Sequence, residues 1–236
     1  TTNVQVGQDL VMLNSVILSV PSNLITGTVF EDTNYGGGAG RDRTTASGTP
    51  VVGATLELYN NLNTLEQTVT TDASGKFTFG GMTNGDYKIR VVNSTVKSNR
   101  GGGAACTTCF PIQTFRRDYS GGTFTDITQE IGGAAPSQQD GGTGSIVGAQ
   151  TIASITVADE GITDVDFGFN FNTIVNTNSA GQGSLEQFIR NSNALDNSGL
   201  DIEPNSIFDP AIGEDTSIFM IPPTADPLGR PADPNY

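Results

Sequence analysis

The chain has 236 residues, with 25 acidic side chains against 11 basic ones and neither histidine nor tryptophan. A net charge of −14 disfavours nucleic acid as a partner, because binding to phosphates is driven by Lys and Arg, and the missing histidine excludes Ser-His-Asp and Cys-His catalysis and His-ligated zinc or haem. With 15% charged residues and 30 glycines, solubility rests on Thr, Asn, Ser, Gln and Gly, a composition that reads as all-β and extracellular, and the length allows one large domain or two small ones.

The sequence opens at Thr1-Thr2-Asn3-Val4 without initiator Met, basic stretch or apolar leader, which reads as a mature N-terminus. Residues 1–23 form an extended arm in which Val4 and Val6 alternate with polar neighbours, followed by short β-type runs around Leu10, Met12, Val16 and Leu18. The longest apolar run, Leu10 to Val20, is interrupted by Asn14, Ser15 and Ser19 and is too short to cross a bilayer, so no membrane span is expected. The arm is either an edge strand of its own domain or a strand that pairs with another copy. In the second case Val4, Val6, Leu10, Met12, Val16 and Leu18 are interface candidates.

Residues 24–172 carry the pattern of a β-sandwich. Strands are predicted at Leu24–Glu31, Val51–Tyr59, Thr64–Thr71, Lys76–Phe79, Tyr87–Asn93, Thr151–Val157 and Ile162–Phe171. Tyr87, Ile89 and Val91 oppose Lys88 and Arg90; Val165, Phe167, Phe169 and Phe171 oppose Asp164, Asp166, Gly168 and Asn170. Such strands bury one face and wet the other. Asp72-Ala73-Ser74-Gly75 supplies a hairpin turn.

A long insertion, residues 94–150, is dominated by Gly, Ser, Thr and Ala and reads as a surface excursion whose apolar anchors lie in Phe110–Phe115. Within it Cys106 and Cys109 form a C-x-x-C without the βα context of a redox motif or the further ligands of a zinc site. A small-loop disulfide in an oxidising compartment is the favoured reading, with an inert reduced pair as the alternative. Asn93-Ser94-Thr95 is a glycosylation sequon by pattern, and the Thr/Ser-rich loops are candidates for O-glycans.

After Phe171 the character changes to residues 173–236. Thr173–Asn178 reads as a short strand, and Gly181-Gln182-Gly183 leads into a helix over Leu185–Leu195. Ser184 with Gln187 makes a capping box, and Leu185, Phe188, Ile189 and Leu195 share a face. Ser217–Ile221 reads as a buried strand. Residues 204–236 hold seven of the eleven prolines, so that tail is extended and forms no central strand or helix.

Ile25-Thr26-Gly27-Thr28-Val29-Phe30-Glu31-Asp32, Gly53–Tyr59, Thr71–Phe77, Gly85–Val91 and Asp164–Phe169 together resemble the B-type modules of serine-aspartate-repeat and collagen-adhesin surface proteins. The resemblance implies a prealbumin-like Greek-key β-sandwich used as a spacer or stalk outside the cell. Relatives with a Lys–Asn or Lys–Asp isopeptide bond carry the lysine on the first strand; Leu24–Glu31 has none, so no such crosslink is expected. Others bind calcium in the loop that follows. Asp32, Asn34 and Asp42 are the candidate ligands here, but Gly36 and Gly37 stand where a carboxylate is expected, and a plain polar loop is favoured for an ion that wants six to eight oxygens.

Ile174 to Ile221, with Gly181-Gln182-Gly183-Ser184-Leu185-Glu186-Gln187-Phe188-Ile189, resembles the start of secreted right-handed β-helix proteins, in which a short amphipathic helix caps a solenoid. One rung cannot bury its own face, so Leu185, Phe188 and Ile189 must pack on something.

The acidic pairs Asp159-Glu160, Asp164/Asp166 and Glu214-Asp215 lie in no cleft that would make a glycosidase, and the glycine clusters lack a phosphate loop's lysine. No catalytic residue and no cofactor beyond the calcium candidate are expected. The sequence points to a structural subunit of an extracellular fibre, joined head-to-tail to other copies by strand addition. The alternatives are a stalk and cap fragment of a large monomeric β-helix adhesin, and a non-catalytic part of a carbohydrate-active β-helix enzyme.

Overall fold

The computed structural model describes residues 23–233 except 206, 224 and 225. The candidate strand residues Val4, Val6, Leu10, Met12, Val16 and Leu18 lie outside the described residues.

The fold is all-β. In chain order the strands are β1 (Asn23–Glu31), β2 (Thr49–Pro50), β3 (Thr55–Asn60), β4 (Leu65–Thr70), β5 (Lys76–Met82), β6 (Gly85–Val91), β7 (Ile112–Ser120), β8 (Thr123–Ile127), β9 (Thr151–Val157), β10 (Phe167–Asn170) and β11 (Thr173–Ile174), then helix α1 (Leu185–Ala194) and β12 (Ile218–Phe219). Ten strands form one hydrogen-bonded sheet in the order β2-β1-β10-β7-β9-β6-β3-β4, with β5 added on β1 and β8 on β7. Strand β1 joins the layers: its first half pairs antiparallel with β5, and its last three residues pair parallel with β10. The sheet curls until its ends meet, where the Gln67 side chain on β4 donates to the Gly80 carbonyl on β5 at 2.8 Å. Inside lie Ile25, Val29, Leu56, Leu58, Phe77, Phe79, Ile89, Ile155, Phe167 and Phe169. Close approach at the β1 corner requires Gly27, where an added Cβ would stand 1.9 Å from the Val165 carbonyl oxygen.

Within the expected surface excursion at 94–150, residues 112–127 instead belong to the sheet. Strand β7 sits between β10 and β9, and β8 folds back on it as a hairpin. Its sequence hides this because charges occupy strand positions: Arg116 pairs with Glu130 at 2.9 Å and with Asp118, and Arg117 pairs with Asp126 at 2.5 Å while lying over the rings of Phe115 and Phe124. The face of β6 predicted to be wet is also covered. Arg90 is fully buried, with Nη1 donating to Glu57 Oε2 at 3.1 Å and to the carbonyls of Gly142 (2.7 Å) and Ser145 (2.5 Å), and Nη2 to Asp140 Oδ2 at 3.1 Å and the Gly141 carbonyl. Asp140 in turn accepts the Asn93 and Gln150 amides at 3.0 and 2.9 Å.

Strand β10 departs from its predicted alternation in the same way. Phe167, Phe169 and Phe171 enter the core as expected, but Gly168 and Asn170 are buried as well, because Phe30, Ala46 and Phe115 form a small second layer outside the strand. A Cβ on Gly168 would lie 2.7 Å from the Phe30 ring.

A buried pair whose partner is removed is left with uncompensated charge, which costs about 3–5 kcal/mol. Arg90→Met is therefore expected to lower the unfolding free energy in denaturant titration by about that amount and to expose the 140–150 amides to hydrogen exchange. Arg90→Lys keeps the charge, loses the planar fork, and is expected to fall between Met and wild type.

Candidate assembly surface

The C-terminal segment is attached to the sandwich by amide side chains. Ser184 caps α1, its hydroxyl accepting the Gln187 amide at 3.1 Å, as the capping box predicts. The reciprocal half of the box does not form, because the Gln187 side chain donates to the Thr108 carbonyl and to Asn191 Oδ1, each at 2.8 Å. Asn191, one turn on, donates to the carbonyls of Phe171 (2.8 Å) and Phe110 (3.1 Å). Gln182 donates to the Pro111 carbonyl at 3.1 Å and accepts the Asp140 amide at 3.1 Å, and Asn176 donates to the carbonyls of Pro136 (2.8 Å) and Gln182 (2.9 Å). Arg100 links β1 to the segment through Glu31 and Asn172, both at 3.1 Å. The tail is tied down too: Arg230 donates to the Ile131 carbonyl at 2.6 Å, and buried Asp233 accepts the Thr177 amide and hydroxyl at 2.6 Å.

With amides facing inward, the apolar side of α1 faces out. Leu185 and Ile189 are 47% and 51% exposed, Phe188 is half-buried, and Leu195, at the C-cap, alone joins the main core. The predicted common face is thus split. The expected buried strand Ser217–Ile221 shrinks to β12, which pairs parallel with β11 and buries Ile218 while Phe219 remains 59% exposed. Ile218 and its neighbours are covered by a second core of Tyr35, Ile112, Ile131, Val175, Leu200 and Ile202. Between α1 and the β11–β12 pair lies an open groove of about 730 Å3, with Ile174, Phe219 and Ile221 on one side and Leu185 and Ile189 on the other. Of the lining residues only Glu186 and Arg190 are charged, and they pair with each other across one helical turn. The sequence signal for this inverted helix was the Gln187/Asn191 spacing, which puts two amides on one face beside the apolar stripe.

The calcium candidates are not brought together. Asp32 is buried and holds the Arg41 guanidinium through both oxygens; Arg41 also donates to the Asn34 carbonyl at 2.8 Å, so an arginine takes the place a cation would need. Burial pushes the Asp32 carboxyl up against the opposing pull of Arg41. The Asn34 side chain accepts the Asp201 amide at 3.0 Å, and Asp42 turns to Thr44 and Thr45 of its own loop. Among the described residues no group of three His, Cys, Asp or Glu is placed to hold a metal. Asn93, the glycan candidate, is fully buried in a 3-10 turn, with its side-chain amide enclosed. Cys106 and Cys109 are joined as a disulfide, and Cys109 sits in the main core.

The acidic pairs serve the fold. Asp159 exchanges hydrogen bonds with Asn84 at 2.6 and 2.9 Å, Glu214 accepts the Ala211 amide at 3.2 Å, and Asp215 accepts from Asn172. Asp166, expected on the solvent face, is partly buried and accepts the Thr28 amide at 2.8 Å.

The described chain is thus an all-β module with an apolar groove at one end. The carboxypeptidase regulatory-like domain family matches residues 43–105, from the loop after β1 to the loop that carries the disulfide. Over 89 residues the chain is 36% identical to serine-aspartate repeat-containing protein D of Staphylococcus aureus, in strain Newman and again in strain COL. That stretch is 38% of this chain and 6% of the relative, so the chain corresponds to a small part of it. Among solved structures, the major pilin subunit BcpA of Bacillus cereus aligns over 64% of this chain and 30% of its own at 12% identity and a TM-score of 0.32. The shaft pilin spaA of Lactobacillus rhamnosus GG aligns over 63% and 49% at 13% identity and 0.28. Scores that low carry no argument for shape or role.

Burial raises the Asp166 carboxyl above its ordinary 3.8, with the Thr28 amide and Arg117 opposing. A raised folded value means the native state binds the proton more tightly, so this group's contribution to stability is present at low pH and declines as pH rises from 3.8 through the folded value. Asp166→Asn keeps the acceptor for Thr28 and removes the titration. Thermal unfolding across that interval is expected to show the variant gaining on wild type as pH rises; parallel profiles would contradict the assignment.

Proposed function

We propose that the chain is a non-enzymatic structural subunit of an extracellular surface fibre, built head-to-tail by adding the N-terminal arm of one copy to the next. One observation carries this reading. Of thirteen large hydrophobic residues exposed among the described ones, seven lie in the C-terminal segment: Leu185, Ile189, Ile207, Phe208, Ile212, Phe219 and Leu228. Apolar surface gathered in this way marks an interaction site. The 36% identity to a serine-aspartate repeat-containing protein over 89 residues supports a cell-surface setting, and the disulfide fits an oxidising compartment. The arm supplies a complementary element, with ten apolar residues and a single charge, Asp9, in its first twenty positions.

A second reading is favoured by the parallel pairing of β11 with β12 through a connection that holds α1: the segment then begins a β-solenoid continued by the same, longer polypeptide. Negative-stain electron microscopy separates the two. Purified chain is expected to form fibres, and removal of residues 1–20 is expected to leave single particles. Unaltered fibres from the shortened chain would remove the arm from the proposal, and single particles from the full chain would favour the solenoid.

A further inference from the structure

We infer that the groove between α1 and the β11–β12 pair is the acceptor for residues 1–20 of a second copy. The inference rests on the fibre reading above and assigns it a site. Three observations select this occupant.

The first is polarity. The arm joins the described chain at Asn23, whose neighbours are Met82 and Asn84, close to the Asn84–Asp159 contact. The groove belongs to the other end of β1, where Glu31 connects through Arg100 to Asn172, immediately before β11. Strand β1 has nine residues, a rise of about 30 Å. Donor and acceptor therefore leave opposite ends of one molecule, and their repeated union between copies is heterologous and open rather than a closed pair.

The second is electrostatic. Copies that each carry −14 repel, so contact is least costly between uncharged surfaces. The arm has one charge in twenty residues, and the only charges lining the groove, Glu186 and Arg190, neutralise each other.

The third is chemical form. Ile218 and Met220 donate their amides to the Asn172 and Ile174 carbonyls, so alternation turns the Phe219 amide and carbonyl away from β11. A strand laid beside β12 meets that edge, and alternate apolar side chains such as Val16 and Leu18 continue the Ile174–Phe219–Ile221 face beneath Leu185 and Ile189.

The test uses the full chain in three forms: wild type, a groove variant (Leu185→Lys with Ile189→Lys) and an arm variant (Val16→Lys with Leu18→Lys). Both groove side chains are already solvent-exposed, so that variant is expected to keep the wild-type thermal transition. Losing two buried anchors is expected to raise the concentration needed for fibres on the order of 100-fold. Each variant alone is then monomeric at the wild-type assembly concentration. A mixture retains one intact arm and one intact groove, and light scattering is expected to show dimers and nothing longer. Phe219→Lys, on the opposite wall, repeats the groove arm of the test should α1 prove sensitive. Fibres from the groove variants at wild-type concentration, or a mixture that stays monomeric, would overturn the acceptor while leaving the fibre reading in place. A wild type that never polymerises overturns both.

Discussion

A guanidinium shut away from water is tolerated only when its donors are met by acceptors and its charge by a counter-charge. Arg90 meets its charge with two carboxylates, Glu57 from the neighbouring strand and Asp140 from the loop, and its two terminal nitrogens also with three backbone carbonyls of residues 141–145, leaving Nε alone without a partner. Glu57 is held in turn by the Tyr59 hydroxyl and the Gly144 amide, each at 2.5 Å. A chain segment with few apolar anchors is thereby fixed on the outer face of β6, and Asp140 carries the constraint onward to Gln182 and so to the turn before α1.

The same economy of polar contacts explains the helix. Gln187 and Asn191 reach carbonyls outside the strand pairing, those of Thr108 and Phe110 before β7 and of Phe171 just after β10. A leucine at Asn191 would leave the buried Phe171 carbonyl without this donor, at about 1–3 kcal/mol. Satisfying these carbonyls fixes the inward face of α1 as amide, and the helix has only one other face on which to carry Leu185 and Ile189. The exposed stripe follows from how the sandwich ends.

Much of the sandwich was legible in the sequence because its strands obey period two: Ile89 and Val91 enter the core as the alternation requires, and Asp72 caps its hairpin by accepting the Ser74 and Lys76 amides at 2.7 and 2.9 Å. Alternation failed where a strand is covered on both faces. Arg90 read as a wet position because hydropathy ranks arginine as polar whatever it meets, and its partner Asp140 lies 50 residues away. The loop after β1 shows the same limit of local reading: Asp32 and Asn34 stand in positions that resemble ligands, and Arg41, nine residues on, brings a positive charge to Asp32 from within the chain. Helix α1 was placed within a residue at its C-terminal end, since Ser184 and the apolar spacing are local signals. Which side it buries was not local, being set by three carbonyls from two other segments.

On the fibre reading, charge and apolarity divide the labour between range and contact. Repulsion between acidic surfaces extends about one Debye length, roughly 10 Å at 0.1 M salt, and acts on side-by-side approach along the whole sandwich. End-to-end approach brings together an arm with one charge in twenty residues and a groove whose two lining charges pair with each other. Lateral clumping is therefore penalised over the entire flank while axial union is penalised least. On that reading the net charge of −14 opposes broad side-by-side contact between copies more than it opposes the local union of arm and groove, whose own surfaces carry one unpaired charge between them.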